Sequence, residues 1–262
     1  MKIVVLVKDV PDTYGDRKLD LETGLADRAA SEHVPDEISE RALETALRIR
    51  ESRDGVEIVV LSMGAEAAGP SLRKALAMGA DRAVHVVDPA LAGADLGLTA
   101  EVLAAAIRRE GFDLVIAGDQ STDGGGGAIP AMLAELLDAA QATGLDSLDV
   151  AADGASLTGA RGVDGGVQRL SAELPAVVSI TERLPDPRFA NFKGIMAAKK
   201  KPLEQLALAD LEGVPAPEAP EVPHSILVSV AARPPRTAGV KITDDGEAGR
   251  KLAAYLVEHR LV

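Results

Sequence analysis

Four short aliphatic runs constrain the first half of the chain: Ile3–Val7, Ile58–Leu61, Ala83–Val87 and Leu114–Ala117. None of them alternates apolar with polar residues. A strand wetted on one face must alternate, whereas a strand covered on both faces reads as an unbroken apolar run, as in a parallel sheet. Segments of helical period lie between the runs. Ile38, Ala42, Ala46 and Ile49 share one helical face, with Leu43 and Leu47 beside them. Leu72, Ala75 and Leu76 begin a second helix that Gly79 can end, and Leu98, Val102, Leu103, Ala106 and Ile107 form a third, followed by Gly111. Such alternation implies right-handed crossovers, so the expected fold class is α/β, a doubly wound and mostly parallel sheet. With aromatics at only 2% of 262 residues, the core has to be built from Val, Leu, Ile and Ala.

The pattern changes after about residue 140. Ser156–Thr158, Val167–Leu170 and Val177–Ile180 are short segments set among Gly, Asp and Ser, and are expected to be antiparallel strands or hairpins added to the sheet. Phe189–Lys201 has no clean period. Val214–Pro223 is a Pro-rich linker that can be neither helix nor central strand. It leads to Ile226–Val230 and a final helix over Glu247–His259. The expected division is a nucleotide-binding α/β body over 1–212 and, over 213–262, a linker with an extended C-terminal arm. The arm either wraps a partner or packs on its own domain.

Charge and composition exclude several functions. Twenty-eight basic against 41 acidic residues give a net charge of −13, which opposes a nucleic-acid backbone and an anionic membrane surface. The chain has no Cys, so disulfides, thiol redox chemistry and Cys-ligated metals are excluded. The histidines at 33, 85, 224 and 259 show no metal-binding spacing. The apolar run after Lys2 is too short for a signal peptide, and no stretch approaches the roughly 18 apolar residues of a membrane span. The expected setting is soluble and cytoplasmic, without membrane insertion.

The strongest local signal is Gly118-Asp119-Gln120-Ser121-Thr122-Asp123-Gly124-Gly125-Gly126-Gly127-Ala128-Ile129-Pro130. It follows the Leu114–Ala117 run and precedes a helical pattern at Met132–Leu137. Ligands of open α/β sheets bind beyond the carboxyl ends of the strands. Consecutive glycines let backbone N–H groups converge without Cβ obstruction, and a following helix adds the positive end of its dipole. These are the needs of a phosphate cradle, although there is no P-loop Lys and no G-x-G-x-x-G spacing. The other reading is a flexible glycine loop. Leu6–Asp9 and Ser62–Gly64 end two other runs, and there could wall an adenine or simply pack as loops.

A second signal lies in Leu184–Lys201. Phe189 and Phe192, two of only three Phe in the chain, stand three residues apart beside Ile195 and Met196. Lys199, Lys200 and Lys201 add a cationic spot to an acidic molecule. An apolar anchor rimmed by charge suits a protein–protein hot spot; alternatively, the Phe rings turn inward and the lysines are merely solvated. No nucleophile elbow, metalloprotease motif or His–carboxylate spacing appears, so an enzyme working with its own side chains is disfavoured.

Several stretches together resemble the electron transfer flavoprotein beta subunit. Arg161–Gly166, Glu173–Val178, Pro187–Ala190 and Gly194–Lys201 carry the specific likeness, and Val7–Asp12, Ala75–Asp81 and Gly118–Asp123 agree with it. The likeness covers nearly the whole chain. It implies an adenine-nucleotide alpha-hydrolase-like fold and a heterodimer whose alpha subunit holds most of the FAD. This chain would bind AMP in a structural role. Electrons would pass from acyl-CoA and related dehydrogenases, as in fatty acid beta-oxidation, to the flavin and on to a quinone reductase. Carried over by position, the AMP contacts fall on Leu6, on Asp36, Glu37, Ile38 and Ser39, on Met63, and on Gly118 to Ile129. The partner-recognition loop falls on about 180–201, with Phe192 where relatives usually have Leu. Gly124 to Gly127 replace polar side chains common in relatives, so backbone contacts to AMP survive that change better than side-chain ones. Some relatives hold a second FAD in place of AMP and bifurcate electrons. Outside this family, the alternative is a universal-stress-type nucleotide-binding module.

Overall fold

The computed structural model describes residues 1–15, 17–214, 225–236 and 238–262. The Pro-rich stretch and His224 lie, apart from Val214, outside the described residues. In chain order the elements are β1 (Lys2–Leu6), β2 (Asp9–Pro11), β3 (His33–Pro35), α1 (Glu37–Glu51), β4 (Glu57–Met63), α2 (Gly69–Met78), β5 (Arg82–Val86), α3 (Leu96–Glu110) and β6 (Leu114–Gly118). There follow α4 (Ile129–Leu136), β7 (Ala140–Leu145), β8 (Ser147–Val150), β9 (Ser156–Val163), β10 (Gly166–Glu173), β11 (Ala176–Ile180), α5 (Phe192–Ala198), β12 (Leu203–Leu206) and α6 (Ala248–Glu258).

The main sheet has seven strands in the order β12-β5-β4-β1-β6-β11-β7, and every pairing in it is parallel. Successive side chains of a strand point to opposite faces, so each unbroken aliphatic run feeds two cores. Ile3, Val5, Ile58, Val60, Leu114 and Ile116 pack with α1 and α2, while Val4, Val59, Leu61, Val115 and Val177 pack with α3 and α4. This is the doubly wound architecture that the first half of the sequence implied. Gly79 ends α2 with φ +146°, and a Cβ there would come within 2.8 Å of Leu47 Cδ2. A side chain would therefore be strained and would strike the core.

Two expectations need correction. Val177–Ile180 is not an antiparallel addition, because β11 lies inside the main sheet, parallel to both β6 and β7. All five of its residues are buried, Ser179 included, so β11 is covered on both faces as β1 and β4 are. The Gly- and Ser-rich hairpin before it obscured that. The antiparallel strands do exist, but β10-β9-β8 form a separate three-stranded sheet. Part of the aperiodic 189–201 stretch is helical: α5 is only seven residues long, too short to show a period, and Asn191 caps it by accepting from Gly194 N at 2.8 Å.

The contacts group the chain into a unit from Met1 to Val228 and another from Ser229 to Val262. Within the first unit, Ser225 N donates to Asp95 Oδ2 at 2.7 Å. Within the second, α6 carries Tyr255, whose ring stacks on His259 with centroids 4.0 Å apart. Leu252 and Val257 of α6 are exposed. No helix among the described residues is long and apolar enough to cross a membrane. Leu47 is fully buried between α1, α2 and the sheet. Leu47→Ala is expected to cost about 3 kcal/mol of unfolding free energy, measured as a lowered urea midpoint.

Candidate functional site

The strand order reverses between β1 and β6. The chain proceeds outward from β1 through β4 to β5, then α3 carries it back to β6 on the other side of β1. The carboxyl ends of these two strands therefore open a crevice, the place where an open α/β sheet binds its ligand. Leu6 ends β1 and Gly118 ends β6. Met63 ends β4 on the same edge of the sheet.

The first turn of α1 closes one side of this crevice. A Cβ on Gly118 would lie 2.4 Å from Ile38 Cγ2, so only glycine lets the helix cross the strand end here. Asp36 is almost wholly buried and serves two elements at once. Its Oδ1 accepts from Ile38 N at 3.4 Å, capping α1, and its Oδ2 accepts from Thr122 N at 2.8 Å and from Thr122 Oγ1 at 3.3 Å. Ser39 Oγ accepts from Lys8 N at 3.2 Å, and Lys8 O accepts from Asp36 N at 2.8 Å. The acidic cap is thus occupied in shaping the glycine loop. Glu37, between Asp36 and Ile38, points to Arg41 one turn on, 3.7 Å away.

Lys8 organises the loop from the other side. Its Nζ donates to Ser121 Oγ at 3.2 Å and to Asp123 Oδ1 at 2.5 Å. Arg28 Nη2 lies 3.5 Å from Asp123 Oδ2, and Arg17 donates to Thr122 O. Burial pushes the Asp123 carboxyl up, but Lys8, helped by hydrogen bonds from Ser121 and Gly124 N, holds it down at about 2. The loop then folds back on itself, with Gly125 N donating to Ser121 O at 3.0 Å. Gly125 and Gly127 take φ +59° and +60°, values that favour glycine. A Cβ on Gly127 would come within 3.3 Å of Gln120 Nε2, and one on Gly126 within 3.3 Å of Leu96 Cδ2. Asp119 faces the sheet: its Oδ1 accepts from Ser179 Oγ at 2.9 Å. After Gly124, the chain enters α4 through Ala128, which has no side-chain acceptor for the first-turn N–H groups of Ile129 and Ala131.

The structure thus brings Leu6, Asp36, Ile38, Ser39 and the 118–129 loop together at the switch point. A loop of backbone donors, an uncapped helix start and three surrounding cations can take an anionic group. Sequence reasoning missed the cations. Lys8 was visible only as the residue after an aliphatic run. Arg17 and Arg28 reach the loop from the segment before β3, which no period marks. His33 Nδ1 sits 2.5 Å from Asp9 Oδ2, and Ser71 Oγ donates to Asp9 Oδ1 at 2.6 Å. These bonds fasten the two-stranded β2–β3 ribbon to α2 and so fix the ground from which Arg28 reaches.

The second group of predicted residues forms a separate surface. Phe189 is 98% and Phe192 79% exposed, and Ile195 and Met196 are exposed beside them. The alternative that the Phe rings pack inward is set aside. Lys199 and Lys200 are exposed, but Lys201 is not part of the cationic spot. Its Nζ donates to Leu76 O at 3.1 Å and to Ala80 O at 2.5 Å, closing the end of α2, and burial pushes its pKa down.

The lysine contact makes a titration prediction. Because its folded pKa is depressed, Asp123 contributes stability that is full above the ordinary aspartate range near 3.8 and lost as pH falls through about 2. Lys8→Met is expected to remove the main contact that opposes burial, moving the Asp123 titration, followed by carboxyl NMR shifts, upward from about 2.

Residues 23–211 match the family described as the electron transfer flavoprotein domain. The chain is 47% identical to the electron transfer flavoprotein subunit beta of Mycobacterium bovis, and the alignment covers 99% of both chains. It is equally identical, over the same shares, to the protein of that name from Mycobacterium leprae, and 37% identical to that from Bos taurus over 84% of each chain. The likeness decides against a universal-stress-type module. On its sequence, the chain belongs to the electron transfer flavoprotein family, among its beta subunits.

Proposed function

We propose that this chain is the half of a heterodimeric electron carrier that holds AMP in the Gly118–Ile129 loop and presents Phe192 to donor dehydrogenases. The alpha subunit holds most of the FAD, and FAD, when bound, accepts the electrons. The subunit-beta name of the relatives supports an alpha partner. Acyl-CoA and related dehydrogenases would supply electrons, and a quinone reductase would take them.

One observation carries the nucleotide reading: the path of the switch-point loop is set by side chains that reach it from other segments. Asp36 fixes it from the cap of α1 and Lys8 from the turn after β1, on glycines where a Cβ would intrude. Backbone donors from the loop and the first turn of α4 would hold the phosphate. Lys8 and Arg28 neutralise Asp123, whose carboxylate would otherwise repel it. Leu6 and Met63, at the ends of β1 and β4, would meet the adenine. AMP in this place would supply no redox chemistry; it would join β1, α1 and the loop into one rigid piece. The chain itself contributes no thiol. Its part in electron transfer would be to position, cover and dock.

Native mass spectrometry of the co-purified complex tests the nucleotide reading. The expected mass is two subunits with one FAD and one AMP. A second FAD in place of AMP, or an empty loop, would overturn the AMP assignment. The docking reading is tested separately. Phe192→Ala is expected to weaken docking to an acyl-CoA dehydrogenase by about 2 kcal/mol, measured by titration, with an unchanged flavin spectrum. Unaltered affinity would refute it.

A further inference from the structure

The docking segment has no core of its own. From Pro185 to Ala197 no side chain is buried, and only Ala198, at the end of α5, reaches the interior. A segment so exposed would ordinarily be mobile, since it has little apolar burial to offset the entropy of ordering. Polar ties to α1 and α2 hold it instead. Arg41 Nη1 donates to Leu184 O at 2.7 Å, and its Nη2 lies 2.6 Å from Asp186 Oδ1. At the far end, Arg73 Nη1 donates to Ala198 O and Lys201 O, both at 2.9 Å. A Cβ on Gly194 would lie 2.4 Å from Ala77 O, so α5 approaches the end of α2 as closely as a glycine allows.

The tightest tie stands next to the exposed rings. Arg188 immediately precedes Phe189. Its Nε donates to Glu44 Oε2 at 2.7 Å, its Nη2 to Glu44 Oε1 at 3.0 Å, and its backbone N to Glu44 Oε2 at 3.2 Å. Its Nη1 donates to Glu51. Glu44 has only 4% of its side chain exposed and accepts one further bond, from Arg48 Nε at 2.9 Å. The surrounding arginines hold the Glu44 carboxyl below its ordinary range despite its burial. A buried charge is costly to desolvate, and an apolar pair of similar volume is often as stable or more so. What the fork provides and an apolar pair does not is direction, because two parallel bonds fix the guanidinium plane and with it the backbone of residue 188.

We propose that Arg188, gripped by Glu44 and Glu51 of α1, is a positioning residue that fixes the Phe189–Met196 surface in its dehydrogenase-docking arrangement. This rests on the docking reading above. Pre-ordering the surface removes an entropy cost that the encounter would otherwise bear. A Lys at 188 would keep the charge but lose the fork.

The test uses the heterodimer with its flavin-bearing partner subunit, and an acyl-CoA dehydrogenase reduced by octanoyl-CoA as electron donor. Arg188→Met alone strands the Glu44 charge and is expected to lower the melting temperature. The double variant Glu44→Leu with Arg188→Met removes both charges and is expected to restore the melting temperature. Its amides over 186–197 are nevertheless expected to exchange faster, and the KM for the heterodimer to rise about tenfold, without a matching fall in kcat. A merely stabilising pair would regain KM together with the melting temperature, and that result would overturn the proposal. If the double variant does not assemble, Arg188→Lys carries the same test, with raised KM expected and unaltered KM fatal. Phe192→Ala, run in parallel, separates the two levels. If it raises KM while the double variant does not, only the positioning role falls. If it leaves KM unaltered, the docking reading falls and this role with it.

Discussion

Helix α1 is the member on which the rest of the molecule depends, and its seat is the contact between Ile38 and Gly118. The glycine lets the start of the helix lie across the end of β6, and everything attached to α1 is placed by that contact. Its 15 residues run about 22 Å. One face packs Ala42, Leu43, Ala46 and Leu47 against β1, β4 and β6. Its first turn shapes the glycine loop through Asp36 and Ser39. Its middle and last turns hold the 184–188 segment through Arg41, Glu44 and Glu51. The glycine loop and the exposed Phe189–Met196 surface are therefore both tied to one helix.

The polar architecture follows from this arrangement. The chain is strongly acidic, yet the glycine loop and the 184–201 segment are organised by its arginines and lysines. Lys8, Arg17 and Arg28 gather at the loop, and Arg41, Arg73, Arg188 and Lys201 tie down the segment. In both places the cations bond chiefly to backbone carbonyls or to carboxylates with little exposure. They set the path of segments that have no apolar core. Exposed ion pairs contribute little to stability, so their value here lies in geometry.

Much of the site was readable in the residues themselves. The glycine-rich stretch stood directly after a buried strand, and Phe189 and Phe192, three residues apart, were two of only three Phe in the chain. The cations were not readable, because Lys8 meets Asp123 across 115 positions and Arg188 meets Glu44 across 144. Nothing local marks such pairs. Glu44 and Arg48 stand one helical turn apart and read as an ordinary surface pair, which concealed the burial of Glu44. Lys201 looked like the third of three solvated lysines, and only the packing of α5 on α2 showed it to be committed to α2.

The sequence by itself determined the layering. Unbroken aliphatic runs have to be covered on both sides, and helical stripes between them supply the cover, so a doubly wound parallel sheet follows from burial alone. The tertiary structure decided which strands are neighbours, with β11 inside the main sheet and β8 to β10 in a sheet apart. It also decided which charges meet. Burial depends on a residue's own chemistry and period, and so is written locally. Strand order and ion pairing depend on the free energy of joining distant segments, which no window of the chain contains.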